Sequence, residues 1–326
     1  MLLVIYLVIV NIGTFILYGA DKKKAEKDKY RIPESSLLFY SVIGGAFGAF
    51  LGMRIFHHKT KKKKFSITVP IFAVLLLVAI VFCLYQNYHI VVSEYDYEDY
   101  SEEVPENCRG MRIVQVSDLH NQFFGIKQSI LLDKVKQLEP DMIVVTGDAV
   151  DSTHTCYAIA EDFFEGAVKI APVYYIKGNH EVSMEGERLD RFLENVQKMG
   201  VHFIDGERVE LDNIEMIGTK DNIMNGVPAF ETSGDKLKIL LAHNPDKADQ
   251  YEETGADLVF TGHIHGGQII IPGMGGFLSP NFVFFPKYYQ GVHDIGNATM
   301  VVSRGLGNSI LPVRINDYPE IVLLKL

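Results

Sequence analysis

The chain of 326 residues has room for one or two domains, and its formal net charge of −10 is unevenly spread. Residues 1–64 carry 12 Lys and Arg against 4 Asp and Glu, a net of +8, so the remainder holds 19 basic and 37 acidic residues, a net of −18. So acidic a C-terminal part argues against nucleic acid as a partner, because that affinity comes largely from neutralising phosphates. Three cysteines, with Cys83 inside an apolar run, exclude a disulfide framework or a cysteine zinc site; only Cys108 and Cys156 could pair.

Residues 2–20 are apolar apart from Asn11 and Thr14. Nineteen residues of helix reach about 28 Å, close to the thickness of a bilayer core. No positive residue precedes this run, so it reads as a retained span rather than a cleaved signal. Lys22, Lys23, Lys24, Lys27, Lys29 and Arg31 follow it, and such a loop is expected in the cytoplasm. Residues 35–53 are a second apolar run in which Gly44, Gly48 and Gly52 fall on one helical face, a spacing that lets membrane helices approach closely. A second basic loop follows, with Arg54, Lys59 and Lys61 to Lys64; His57 and His58 are expected at the membrane interface. Residues 67–85 are a third run, with Pro70 tolerated in its first turn. Three full spans would put one basic loop outside. A re-entrant or hairpin-like second segment keeps both loops inside and the C-terminal part outside, and that arrangement is expected. Residues 1–65 also resemble a small bacterial membrane domain family of unknown function, through Tyr18-Gly19-Ala20-Asp21-Lys22, Arg31-Ile32-Pro33-Glu34, Gly44-Gly45 and His58-Lys59-Thr60.

Residues 1–92 thus read as a membrane region with two to three hydrophobic helical segments, 93–110 as an acidic linker and 111–326 as a separate domain. Strand patterns at 111–116, 142–145 and 173–176 alternate with helical patterns at 127–138, 156–168 and 186–199. Short strands are expected at 201–204, 207–211 and 214–217, then at 237–242 and 258–260, with closing strands at 300–303 and 321–326. The alternation predicts α/β layers. Five of these strands end in side chains able to bind metal: Asp118 and His120; Asp148; Asn179 and His180; His243; and His263 and His265. In open α/β sheets, ligands bind beyond the carboxyl ends of strands, so these residues are expected to converge on one rim.

Carboxylate and amide oxygens mixed with imidazoles suit Mn, Fe or Zn better than Ca or a thiolate-bound metal. Two such cations bridged by one aspartate would clamp a phosphate ester and generate hydroxide from water near neutral pH. A nearby histidine can supply the leaving group's proton. Read in order, D-x-H at 118–120, G-D-x-x-D at 147–151, G-N-H-E at 178–181, His243 and G-H-x-H at 262–265 resemble the calcineurin-like metallophosphoesterase superfamily. The resemblance covers residues 111–326 and implies a four-layer α/β/β/α metallophosphoesterase sandwich, here preceded by an N-terminal helical membrane region. It implies one metal on Asp118, His120, Asp148 and His265, a second on Asp148, Asn179, His243 and His263, and His180 as the acid that contacts phosphate. Gly266-Gly267-Gln268, Pro272-Gly273 and Ser303-Arg304-Gly305 resemble a bacterial cell-envelope branch, some of whose members act on lipid-linked or sugar-nucleotide diphosphates. Ile264 and Glu181 stand where threonine and aspartate are common in that branch; neither is a ligand position.

Beside these readings stand plainer ones. Strand-end Asp and Asn also form turns and caps. Asp151 reads as structural, bonding loop amides, and His154, His202 and His293 as ordinary surface or core residues. Arg304 and Arg314 suit either substrate phosphate or internal ion pairs. The stretch Phe277, Phe282, Phe284, Phe285, Tyr288 and Tyr289 is either a packed loop or an exposed lip that meets acyl chains or the bilayer. The expected protein is a multi-pass membrane enzyme with an extracytoplasmic catalytic domain. It hydrolyses a phosphodiester or diphosphate, including lipid-linked ones, with two divalent ions (Mn, Fe or Zn). The alternatives are a phosphomonoesterase or phosphoprotein phosphatase, and a non-catalytic metal-stabilised sensor domain.

Overall fold

The computed structural model describes residues 2–101, 104–184, 186–220, 230, 236–309 and 313–326. The chain forms two compact units, Met1–Tyr85 and Gln86–Leu326.

The first unit begins with helix α1 (Leu2–Glu26). Helices α2 (Glu34–Tyr40) and α3 (Ala46–Ile55) follow, separated by an irregular turn in which Gly44 has φ +114°. The long helix α4 (Lys63–Tyr88) comes next. Three segments, Ile5–Glu26, Glu34–Ile55 and Lys63–Tyr88, are long and apolar enough to cross a membrane. α4 is apolar on all sides and exposes Ile71, Val74, Leu75, Val78 and Val81, which water would disfavour and lipid would not.

The glycine face expected on residues 35–53 packs against α1. A side chain on Gly48 would overlap the carbonyl of Asn11. The contact is locked by polar bonds: Asn11 Nδ2 donates to Gly44 O at 2.8 Å, and Gly48 N donates to Asn11 Oδ1 at 2.8 Å. Small residues that let backbones meet, joined by interhelical hydrogen bonds, are the usual means of holding helices together in lipid. Gly48→Leu is therefore expected to part α1 from α3. Rapid hydrogen exchange at the backbone amide of position 48 would report the separation, and retained protection would refute it.

The two ends of the 34–55 segment meet. Lys59 Nζ donates to Glu34 Oε1 at 2.8 Å, and His58 Nε2 lies 2.7 Å from Oδ2 of the buried Asp21, which also pairs with Arg31 at 3.2 Å. A straight helix of that length would hold its ends about 30 Å apart. The break at Gly44 turns the chain back, so both basic loops lie at one end of the unit.

In the second unit the chain runs through strand β1 (Val91–Asp96) and β2 (Arg112–Val116). Helix α5 (Ser129–Gln137), β3 (Met142–Thr146), α6 (Tyr157–Ala167) and β4 (Val173–Ile176) follow. Then come α7 (Asn179–Ser183), α8 (Glu187–Lys198), β5 (His202–Phe203), β6 (Arg208–Glu210) and β7 (Ile214–Gly218). The chain continues with β8 (Leu237–Leu241), α9 (Ala248–Glu252), β9 (Leu258–Thr261), and the two-residue strands β10 (Ile270–Ile271) and β11 (Gly275–Gly276). β12 (Gly291–Ile295), β13 (Ala298–Val302) and β14 (Glu320–Lys325) close it.

Two six-stranded sheets result, ordered β1-β14-β2-β3-β4-β5 and β12-β13-β9-β8-β7-β6. Side chains alternate across each strand, and both faces are apolar because both are covered. Val114, Val145 and Tyr175 pack under Val135, Phe164 and Phe192 of α5, α6 and α8. The intervening residues Ile113, Val144 and Ile176 meet Ile239, Leu241 and Phe260 of the second sheet. Leu240, Val259 and Met300 on that sheet's far face pack with Ala248 and Tyr251 of α9. The order of layers is therefore α/β/β/α.

The acidic stretch 93–110 differs from the linker expected of it. Its start belongs to β1, which pairs in parallel with β14 from Val91↔Glu320 to Asp96↔Lys325. Carboxylates on an edge strand keep one exposed face wet, so strand and linker look alike in composition. Cys108 is buried, Cys156 is exposed, and neither forms a disulfide.

Candidate metal centre

β2, β3 and β4 are adjacent parallel strands of one sheet, and β8 and β9 are adjacent and parallel in the other. Their carboxyl ends share a rim. Gln115 Nε2 ties the sheets together there, donating to Thr261 O at 2.8 Å. The backbone turns abruptly where β2, β3 and β9 stop: Asp118, His120, Asp148, His263 and His265 have φ between +46° and +69°. Left-handed backbone at a residue with a Cβ is costly, and its concentration in one place marks a functional site. Gly262 is required for the same closeness, since a Cβ there would overlap Ser117 Oγ and Asp118 Oδ2.

All eight residues singled out from the sequence reach this rim. Donor atoms of Asp118, His120 and His265 lie within 4.8 Å of one another, as do those of Asp148, His243 and His263, and those of His120, Asp148 and His180. Asp148 joins the groups: its Oδ2 is 3.4 Å from His120 Nε2 and 3.3 Å from His243 Nε2. Asn179 Oδ1 is 3.0 Å from His243 Nε2, and His265 Nε2 is 3.5 Å from Asp118 Oδ1. Every one of these except Asn179 and His180 is buried.

The donors are aimed inward. His243 Nδ1 lies 2.7 Å from Thr146 O, so Nδ1 carries a proton and Nε2 is turned toward Asp148. His265 Nδ1 is likewise 3.2 Å from Gly307 O. Neither ring nitrogen of the buried His120 makes a hydrogen bond, although carboxylates flank both. Buried polar atoms normally find partners, so this imidazole is shaped for something other than a protein hydrogen bond. His180 differs. The backbone N–H of Ser152 must donate to its Nδ1, 3.0 Å away, so the neutral ring carries its proton on Nε2.

The charges are strongly coupled. Burial opposes ionisation of Asp148, but His243 and His120 outweigh it and hold the carboxyl well below the usual range. Burial, outweighing the pull of His243 and helped by the like charge of Asp148, pushes Asp118 up. His120 and His243 resist protonation through burial, yet the carboxylates beside them push each up to about 10. Burial and neighbouring positive charge push His263 down to about 3 and drive His265 well down, so both stay neutral. Burial also lowers His180. Divalent cations would relieve this packing of like groups, and the mixed oxygen and imidazole donors fit such ions.

Several supporting residues were given no part in the site by the sequence reading. Asp151 accepts from the backbones of Thr153 and His154, as expected of a loop former, but its Oδ2 also lies 3.5 Å from His120 Nδ1 and orients that ring. Glu181 is fully buried and accepts from the amides of Asp148, Val150 and Gly178 and from Tyr175 Oη. One carboxylate thus fixes the loops that carry Asp148, Asn179 and His180. Burial and the charge of Asp148 raise Glu181 to about 7. Arg304 pairs with Glu320 at 2.8 Å and Arg314 with Asp317 at 2.9 Å, so both arginines serve internal ion pairs. Asn281 Nδ2 stands 3.3 Å from His263 Nε2, and its sequence context carried no signal of it. His154 and His202 are exposed and belong to none of these donor groups.

A family model described as calcineurin-like phosphoesterase matches residues 111–267, spanning all of these donors. Residues 111–267 are thus a calcineurin-like phosphoesterase domain. This phosphoesterase is accordingly a metal-dependent phosphoester hydrolase. It is 29% identical over 245 residues to an uncharacterised metallophosphoesterase, YkuE, of Bacillus subtilis, covering 69% of this chain and 82% of that protein. It is 27% identical over 232 residues to the phosphodiesterase YaeI of Escherichia coli, covering 68% and 84%. The N-terminal part of the chain matches a different family. Residues 11–65 match a family described as a protein of unknown function, DUF1294, and 87 residues are 40% identical to the uncharacterised protein YsdA of Bacillus subtilis, covering 96% of it.

Proposed function

We propose that the second unit hydrolyses a phosphodiester or diphosphate at a pair of divalent cations. Asp118, His120, Asp148 and His265 would hold one, and Asp148, Asn179, His243 and His263 the other. The observation that carries this reading is Asp148 Oδ2, shared between His120 and His243 at 3.4 and 3.3 Å. Bound there, such a pair supplies Lewis acidity toward phosphate oxygens and a hydroxide nucleophile near neutral pH.

The chain's own residues do the rest. Asp118 and Asp148 supply the negative charge that holds the cations. Asp151 and Glu181 fix the loops, so little reorganisation accompanies the reaction. His180 is neutral with its proton on Nε2, and so is poised to give a hydrogen bond, then a proton, to the departing oxygen. His180→Gln is expected to lower kcat by about 10²–10⁴-fold while both metals stay bound. Wild-type turnover, or loss of metal with turnover, would remove this role. The name of the Escherichia coli relative supports diesters over monoesters, and kinetics on paired aryl mono- and diesters would separate them.

The proposed setting is a membrane with the catalytic unit on its outer side. α1 and α4 cross it, while the 34–55 segment enters and returns, because Glu34 and Lys59 meet. Both lysine-rich loops then face the cytoplasm, in keeping with the positive-inside rule. Such tethering supports a lipid-linked substrate. Tyr100→Cys, made together with Cys156→Ser because Cys156 is itself exposed, should react with an impermeant thiol reagent applied to intact cells; shielding until lysis would reverse the topology.

A further inference from the structure

Residues 279–285 form a tight loop whose tip is apolar and uncovered. Phe282 is 69% exposed, Val283 49%, Phe284 61% and Phe285 42%. Four consecutive exposed apolar residues are unusual on a water-facing surface.

The loop is held rigidly in this shape. Ser279 N donates to Val283 O at 2.9 Å, Phe282 N to Ser279 O at 3.0 Å and Phe285 N to Phe277 O at 3.1 Å. Phe277 supports it from below, its ring 5.3 Å from that of Phe284 and 5.7 Å from that of Phe285. Phe282 and Phe285 lie in left-handed backbone, at φ +59° and +54°. That conformation is costly for a bulky residue and serves here to turn the tip, above all Phe282, outward.

The tip is also joined to the metal centre. Asn281, the residue before it, lies 3.3 Å from His263 Nε2. An apolar tip and a phosphoester site therefore share one short loop. The chain further supplies a helix apolar on all sides, α4, from which only His89 and Ile90 separate β1.

We propose that the Phe282–Phe285 tip is a membrane-interface anchor that seats the site against the lipid surface, so that phosphoesters are taken from the bilayer rather than from bulk water. This rests on the membrane setting proposed above. Aromatic side chains favour that interface, where an apolar body and a polar surround coexist.

The sequence contains no tryptophan, so one introduced indole reports one position. Phe284→Trp and, separately, Phe282→Trp in the full-length protein would be reconstituted in vesicles of phosphatidylcholine, with and without bromine on the acyl chains. Leu77→Trp in α4 marks full insertion and Tyr100→Trp an exposed surface. The tip variants are expected to emit at shorter wavelength than Tyr100→Trp and to lose at least half their emission to brominated lipid. Emission matching Tyr100→Trp would overturn the proposal. So would a blue shift without quenching, which would mean that protein covers the tip. The fluorescence does not depend on turnover, so an inactive metal centre and a dry tip are separate failures.

Discussion

Asp148→Asn is expected to abolish hydrolysis of an aryl phosphodiester while leaving a folded chain. One removed charge-stabilising group commonly lowers kcat by about 10²–10³-fold, and Asp148 is proposed to serve two cations, so the loss should exceed that range. Its Oδ2 faces His120 Nε2 and His243 Nε2 at 3.4 and 3.3 Å. An amide there keeps the shape and can still accept the His180 N–H that Asp148 Oδ1 accepts at 2.8 Å. It cannot supply the negative charge. Metal analysis by mass spectrometry should find the variant depleted, with an unchanged far-ultraviolet circular dichroism spectrum. Full turnover with two bound metals would contradict the bridging role.

Arg314→Met is expected to have the largest effect on stability. Arg314 is fully buried behind the metal centre. Its guanidinium pairs with Asp317 at 2.9 Å, donates to the carbonyls of Arg304, Gly305 and Gly307, and lies 3.5 Å from His265 Nδ1. It therefore fixes the loop whose Gly307 carbonyl orients the His265 ring. Burial pushes Asp317 up to about 6 even though Arg314 pulls it down. Removing the partner of a buried charge costs about 3–5 kcal/mol, or about 6–20 °C of Tm for a domain of this size. Arg314→Met combined with Asp317→Leu leaves no orphaned carboxylate and should recover much of that loss. Thermal unfolding of both variants in detergent decides it: equal Tm for the single variant and wild type would mean that the pair is not integral.

Much of the candidate metal centre was legible because its polar side chains are concentrated at strand ends. Each apolar run stopped at a glycine or a polar residue, so Asp118, Asp148, Asn179, His243, His263 and His265 could be picked out and expected to converge. Supporting residues were harder to see. Glu181 and Asp151 act through backbone amides and ring nitrogens brought close only by folding, as with Glu181 and the Asp148 amide at 2.9 Å. Arg304 and Arg314 left two readings open because charge alone does not distinguish a phosphate ligand from a buried ion pair. β1 escaped notice because its acidic residues look like linker, and its pairing with β14 joins positions more than two hundred residues apart. In the first unit, the glycine spacing announced the close helix contact. The meeting of Glu34 with Lys59 was suggested only by the conflict between two basic loops.

The central claim is that Asp148 stands between two cations. Anomalous diffraction from crystals of the full-length protein loaded with manganese tests it most directly. Two peaks about 3.5–4 Å apart, flanking the Asp148 carboxylate with His120 and His265 on one side and His243 and His263 on the other, are the expected result. A single peak remote from Asp148, or none at full manganese loading, would contradict it.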